Sequence, residues 1–126
     1  MGLDRGHKSL DVWKESVQFS VDIYRATEKF PKSEIYGLSS QLRRAAVSIP
    51  SNIAEGAGRQ SNKEFLRFLD ISVGSISEVD TQLEIAGRLS YLDESTKSEL
   101  DNQLLSIAKK LAGLKRKLEQ KGSEGT

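Results

Sequence analysis

From Phe65 onward, the residues Phe65, Leu69, Ser72, Ile76, Val79, Leu83 and Ala86 recur at intervals of 4, 3, 4, 3, 4 and 3. Only one side of an α-helix returns to the same direction at that spacing, and it is the spacing at which two helices mesh along a seam. The rhythm repeats in Leu100, Leu104, Ile107, Leu111, Leu114 and Leu118, at 4, 3, 4, 3 and 4. A chain with two such seams has to fold as packed helices. No strand-type alternation is sustained over several residues, and Pro31 and Pro50 are the only prolines.

Two further helices precede these. The first is predicted from about Leu10 to Lys29, with Ser9 as N-cap and Phe30-Pro31 ending it, because the residue before a proline is pushed out of the helical region. It carries two apolar stripes: Leu10, Trp13, Val17, Val21 and Tyr24, and also Val12, Phe19, Ile23 and Phe30. A bundle needs only one, so the second stripe predicts self-association. The next helix holds Leu38, Leu42, Ala45, Ile49 and Ile53 on one face, with Pro50 inside it. Proline lacks the N–H that would serve the Ala46 carbonyl, so a kink or break is expected near residues 48–52, with Ser48, Ser51 or Asn52 binding the freed groups. Gly56-Ala57-Gly58 closes this helix. Ser61-Asn62-Lys63-Glu64 reads as a capping box opening the third, and Asp93 as the cap of the fourth. Gly74-Ser75 leaves room for a neighbouring helix to approach closely. The predicted segments are about 10–29, 34–56, 62–90 and 94–119, with polar tails at 1–8 and 121–126. Together they form one domain, an antiparallel up-and-down four-helix bundle.

Composition removes much chemistry. The chain has 126 residues, no cysteine and one histidine, His7, which is read as a solvated tail residue. That excludes disulfides, thiol catalysis and a histidine metal triad, so no metal and no cofactor are expected. Area scaling lets a chain of this mass bury about two thirds of its surface without such staples. No apolar run approaches the roughly 18 residues of a membrane span, and the start lacks an apolar secretion signal, so a cytoplasmic protein without membrane contact is expected.

The net charge of +1 conceals a segregation. Residues 1–63 carry 10 basic and 7 acidic groups, residues 64–101 carry 3 and 9, and residues 102–126 carry 6 and 2. Such polarity suits self-association, and the basic segments suit a polyanion.

The densest run of unusual choices is Gln41-Leu42-Arg43-Arg44-Ala45-Ala46, then Ser48-Ile49-Pro50-Ser51-Asn52-Ile53-Ala54-Glu55-Gly56, then Gly58-Arg59 and Ser61 to Phe65. With Leu10-Asp11-Val12-Trp13, Phe30-Pro31, Gly74-Ser75 and Leu89-Ser90-Tyr91-Leu92, these blocks resemble the bacterial family of small four-helix-bundle proteins named after open reading frames in 23S rRNA intervening sequences. The resemblance covers about residues 9–92; the fourth helix matches no motif. It implies a ring-like homo-oligomer, commonly a pentamer, with no established enzymatic activity. A more distant resemblance, to the accessory protein of diversity-generating retroelements, implies nucleic-acid binding through a basic surface and a protein partner such as a reverse transcriptase.

The candidate nucleic-acid-binding residues are Arg43, Arg44, Arg59, Lys63 and Arg67. Arg44 points about 200° away from Leu42, and Lys63 and Arg67 are i, i+4 neighbours. Two readings stand: contact with phosphates, or pairing with acids across a subunit interface. Pro50, Asn52, Glu55 and Gly56 are read as structural, with Glu55 pairing to Arg59 and no catalytic residue assigned. Trp13, Tyr24, Phe65 and Phe68 occupy helical spacings and are read as core, with base-stacking platforms as the alternative. Lys115-Arg116-Lys117 is read as the basic end of the last helix, with nucleic acid or an acidic neighbour as the alternative. The function expected is a noncatalytic oligomeric module binding RNA or DNA; the alternative is a purely structural or protein-interaction oligomer.

Overall fold

The computed structural model describes residues 6–124 and holds four helices: α1 (Asp11–Thr27), α2 (Leu38–Ala57), α3 (Asn62–Arg88) and α4 (Glu94–Glu124). Short 3-10 turns at Gly6–Ser9 and Lys32–Glu34 precede α1 and α2. Each helix packs against its chain neighbour and α4 closes back on α1, so the four stand antiparallel as a bundle. Phe19, Ile23, Leu42, Ile49, Ile53, Leu69, Val79, Leu83, Ile107 and Leu111 are fully buried in its centre. α1 turns its second stripe to this core, while Val21 and Tyr24 of the first stay 39% and 45% exposed.

The helix ends depart from the sequence expectation where a distant or unrecognised partner sets them. The N-cap position of α1 is Leu10 rather than Ser9, and no side chain caps it. α2 starts at Leu38, the last position of the expected range Lys32 to Leu38, because Pro31 leads into a 3-10 turn and the Glu34 carboxylate accepts the Leu38 N–H at 3.0 Å. The other oxygen of Glu34 accepts from the Tyr91 hydroxyl at 2.9 Å, which ties the α1–α2 and α3–α4 connections together. Both hydrogen bonds, the Leu38 one foremost, hold the Glu34 carboxyl below the usual glutamate range. Ser61 caps α3 by accepting the Glu64 N–H at 3.1 Å, but the Glu64 carboxylate completes no box and turns to Arg67. Asp93 caps α4 through the Thr96 N–H at 2.7 Å. α4 continues through the expected polar tail to Glu124.

Pro50 does not break α2, which runs unbroken from Leu38 to Ala57. The Ala46 carbonyl that Pro50 leaves without a helical donor is met from another helix, not by Ser48, Ser51 or Asn52. The Ser20 hydroxyl of α1 lies 3.2 Å from it and 2.9 Å from Ser16 O, sharing its proton between the two. Asn52 instead donates to Ser48 O at 2.8 Å. From α3, Ser72 donates to Ile49 O at 2.9 Å and Ser75 to Ser48 Oγ at 2.8 Å. These small hydroxyl residues form a buried polar belt around the proline.

Close approach of α2 and α3 depends on Gly56. A Cβ there would stand 2.9 Å from Phe65 Cδ1 and 2.9 Å from Phe68 Cβ. Gly74 faces open space, while Ser75 beside it packs inward.

Candidate nucleic-acid interface

The antiparallel packing converts the charge blocks of the sequence into two unlike ends. Residues 6–18, 48–75 and 106–124 make up one half of the bundle's length and carry 11 basic and 7 acidic side chains. Residues 19–47 and 76–105 make up the other half and carry 7 and 10. The basic half contains the α2–α3 corner and the end of α4. They meet where Asn62 Nδ2 donates to Leu118 O at 3.5 Å, which brings Lys63 to the same end as Lys117 and Lys121.

Within that half, Arg59, Lys63 and Arg67 are exposed. The Arg59 guanidinium is hydrogen-bonded to the Glu55 carboxylate one helical turn back and sits 4.8 Å from the centre of the Phe68 ring. Arg67 Nε lies 3.1 Å from Glu64 Oε2, and its guanidinium is 5.3 Å from the same ring. Phe68 thus gathers two arginines that stand eight residues apart. Sequence reasoning preferred the core for Phe68, with a base-stacking surface as the alternative, and did not anticipate that it gathers Arg59 and Arg67. The available signal was its register, one position before the Phe65, Leu69 and Ser72 seam and next to Arg67. Lys63 has no acidic partner among the described residues.

Arg43 and Arg44 are not brought to this cluster. Sixteen residues of helical rise, about 24 Å, would separate Arg43 from Arg59. The Arg43 side chain is half-buried: Nε donates to Thr27 Oγ1 at 2.8 Å, and the guanidinium lies 4.7 Å from the Tyr24 ring centre. Its partners are a hydroxyl and an aromatic face of α1 rather than an acid. Arg44 is exposed in the acidic half.

Three other expectations are corrected. Lys115 does not sit at the end of a helix but in its body, with Nζ 2.6 Å from Asp70 Oδ1 of α3, so the acidic-neighbour reading applies to it. His7 is half-buried with its ring edge-on to Trp13, the centroids 5.0 Å apart, rather than free in a solvated tail. Tyr24 is an exposed ring under Arg43 rather than core. Glu55 pairs with Arg59 as expected. Arg116 and Lys117 are exposed and line a shallow groove with Leu10, Asp11 and Lys110. There Lys110 Nζ lies 2.7 Å from Glu15 Oε2. Burial raises the Glu15 carboxyl, but hydrogen bonds from Lys110 and Ser106 outweigh it and leave the group below its usual range.

A family model described as 23S rRNA-intervening sequence protein matches residues 8–113. The chain belongs to that family. The match extends into α4, beyond the residues whose resemblance was legible by inspection, and it includes Arg43, Arg44, Arg59, Lys63 and Arg67. Lys115, Arg116, Lys117 and Lys121 lie outside it. Among solved structures, the chain is similar to a protein of unknown function from the S23 ribosomal protein family of Bacteroides thetaiotaomicron. The two share 26% identity with a TM-score of 0.75, over 82% of this chain and 97% of that one. No functionally curated protein matches the chain. Among the described residues, no helix is long and apolar enough to cross a membrane.

Proposed function

We propose that this member of the 23S rRNA-intervening sequence protein family is a noncatalytic, oligomeric binding protein whose basic end contacts RNA or DNA. The observation that carries the reading is the convergence of Arg59, Lys63 and Arg67 with Lys117 and Lys121 at one end of the bundle. Such a group neutralises phosphates along a backbone without reading sequence, and repetition around a homo-oligomer multiplies a modest patch into a strong one. A ring, pentameric as the family resemblance implies, uses the surface left over by the core: the half-buried Trp13 and exposed Val21 and Tyr24 on α1, and Ile71 and Ile85 on α3. A bend of α2 at Pro50 belongs to the same proposal, since it would set the direction in which Glu55 and Arg59 leave the bundle. A protein partner such as a reverse transcriptase remains an expectation of the resemblance alone.

The second reading, a protein-interaction oligomer without nucleic acid, is favoured by the pairing of Arg59 with Glu55 and of Arg67 with Glu64. Exposed pairs of this kind contribute only about 0–1 kcal/mol and yield readily to a phosphate. Mixing the protein with a labelled structured RNA and a duplex DNA, at low and physiological salt, separates the two. The proposal expects binding that weakens steeply with salt, together with a light-scattering mass several times 14.0 kDa. Absence of binding at low salt overturns the nucleic-acid reading, and a monomer mass overturns the oligomer.

A further inference from the structure

We propose that Arg59 and Arg67, held against Phe68, form a stacking platform for unpaired bases, so that the basic end prefers single-stranded or looped polynucleotide to duplex. The inference rests on the nucleic-acid reading above and divides the labour within the same site.

Each guanidinium is fixed twice. Glu55 and Glu64 pair with Arg59 and Arg67, and both guanidinium groups lie over the Phe68 ring, 4.8 and 5.3 Å from its centre. Yet the two side chains remain 43% and 67% exposed. An arginine that must give up a carboxylate to meet a phosphate gains less from the contact than an unpaired lysine does. What it still offers is a planar, weakly hydrated, delocalised surface in a set orientation, and bases stack on such planes as they do on aromatic rings. Lys63 is the opposite case, exposed and without an acidic partner among the described residues. With Lys117 and Lys121 it supplies compact charge for the phosphates. A duplex keeps its base faces stacked inside, so it can use the lysines but not the platform. An unpaired strand uses both.

The test is fluorescence anisotropy with a labelled single strand and with the duplex that strand forms with its complement, each titrated across a range of salt. The wild-type protein is expected to bind the single strand roughly 5- to 150-fold more tightly, the equivalent of one stacked base. Arg59→Lys combined with Arg67→Lys keeps both charges and removes both planes. It is expected to abolish that preference, lowering affinity for the single strand by at least about 5-fold more than affinity for the duplex, with the salt slope kept by the retained charges. Lys63→Ala is expected to weaken both ligands and to flatten the slope by about 0.7 to 0.9. Equal wild-type affinity for strand and duplex overturns the platform but leaves the basic interface standing, as does a preference that survives the double lysine variant. Binding of neither ligand overturns the platform and the nucleic-acid reading together.

Discussion

Gly56 sets how closely α2 and α3 can approach, and it does so through one missing atom. A methyl group there meets the Cβ of Phe68, which belongs to a packed helix and cannot swing aside. Gly56→Ala is therefore expected to destabilise the protein by about 1–3 kcal/mol, measured by urea denaturation, despite alanine's better helix propensity. A stability equal to or above wild type would show that the corner is more loosely packed than described. At this scale, what the sequence disclosed was what a residue does to its own neighbours within a turn. Ser61 and Asp93 as caps, and Glu55 with Arg59, are all separated by three or four positions. Arg43 with Thr27 and Ser20 with Ala46 bridge different helices, and no local pattern marks them. Phe68 fell between these cases: its partner Arg67 is adjacent, but Arg59 reaches it only because Gly56 lets the corner close.

Along a single helix, the question is how α2 tolerates Pro50. The Ser20 hydroxyl supplies the donor that the proline ring removed, and both groups are buried. Ser20→Ala should cost about 1–3 kcal/mol, the usual consequence of leaving a buried carbonyl without a partner. In a Pro50→Ala background, the restored N–H can serve Ala46 O, so the cost of Ser20→Ala is expected to shrink. A double-mutant cycle by chemical denaturation measures that coupling, and strictly additive effects would refute the compensation. The link between helix connections makes a separate, pH-dependent claim. Glu34 has its carboxyl lowered in the fold by the Leu38 N–H and the Tyr91 hydroxyl. Its contribution is therefore present above the ordinary glutamate value of about 4.3 and is lost as pH falls through the lower folded value. Glu34→Gln should flatten the fall in melting temperature below about pH 4.3, without abolishing it, since Glu15, Glu84 and Asp93 are lowered as well. An unchanged acid limb would contradict the assigned role of Glu34. Each helix could be recognised from its apolar seam, because periodicity is a property of the element itself. The start of α2 could be narrowed only to residues 32–38, because the group that caps it, Glu34, comes from the preceding turn and is braced by Tyr91, 57 residues further on.

For the molecule as a whole, the folded bundle gives meaning to a charge pattern that the linear sequence only hinted at. The basic surplus of one half comes from residues 106–124 of α4, with six basic and two acidic side chains, and the acidic surplus of the other from residues 76–105, with two and seven; the antiparallel packing sets these blocks at opposite ends. The fold could be read because two uninterrupted seams and two further amphipathic stretches admit little else. The candidate site could be read only in part. Arg59, Lys63 and Arg67 converge as their spacing suggested, Arg43 and Arg44 belong elsewhere, and Lys117 and Lys121 join through the packing of α4 rather than through any motif. The central claim is that this basic half meets a polyanion. It is tested most directly by the dependence of binding on salt for a labelled RNA, comparing wild type with a Lys63→Ala, Lys117→Ala and Lys121→Ala triple variant and with Lys32→Ala as a charge removed from the other half. The account predicts that the triple variant flattens the slope of log affinity against log salt by about 2 to 3, while Lys32→Ala leaves it unchanged. Equal slopes for wild type and the triple variant, or an equal loss from Lys32→Ala, would contradict it.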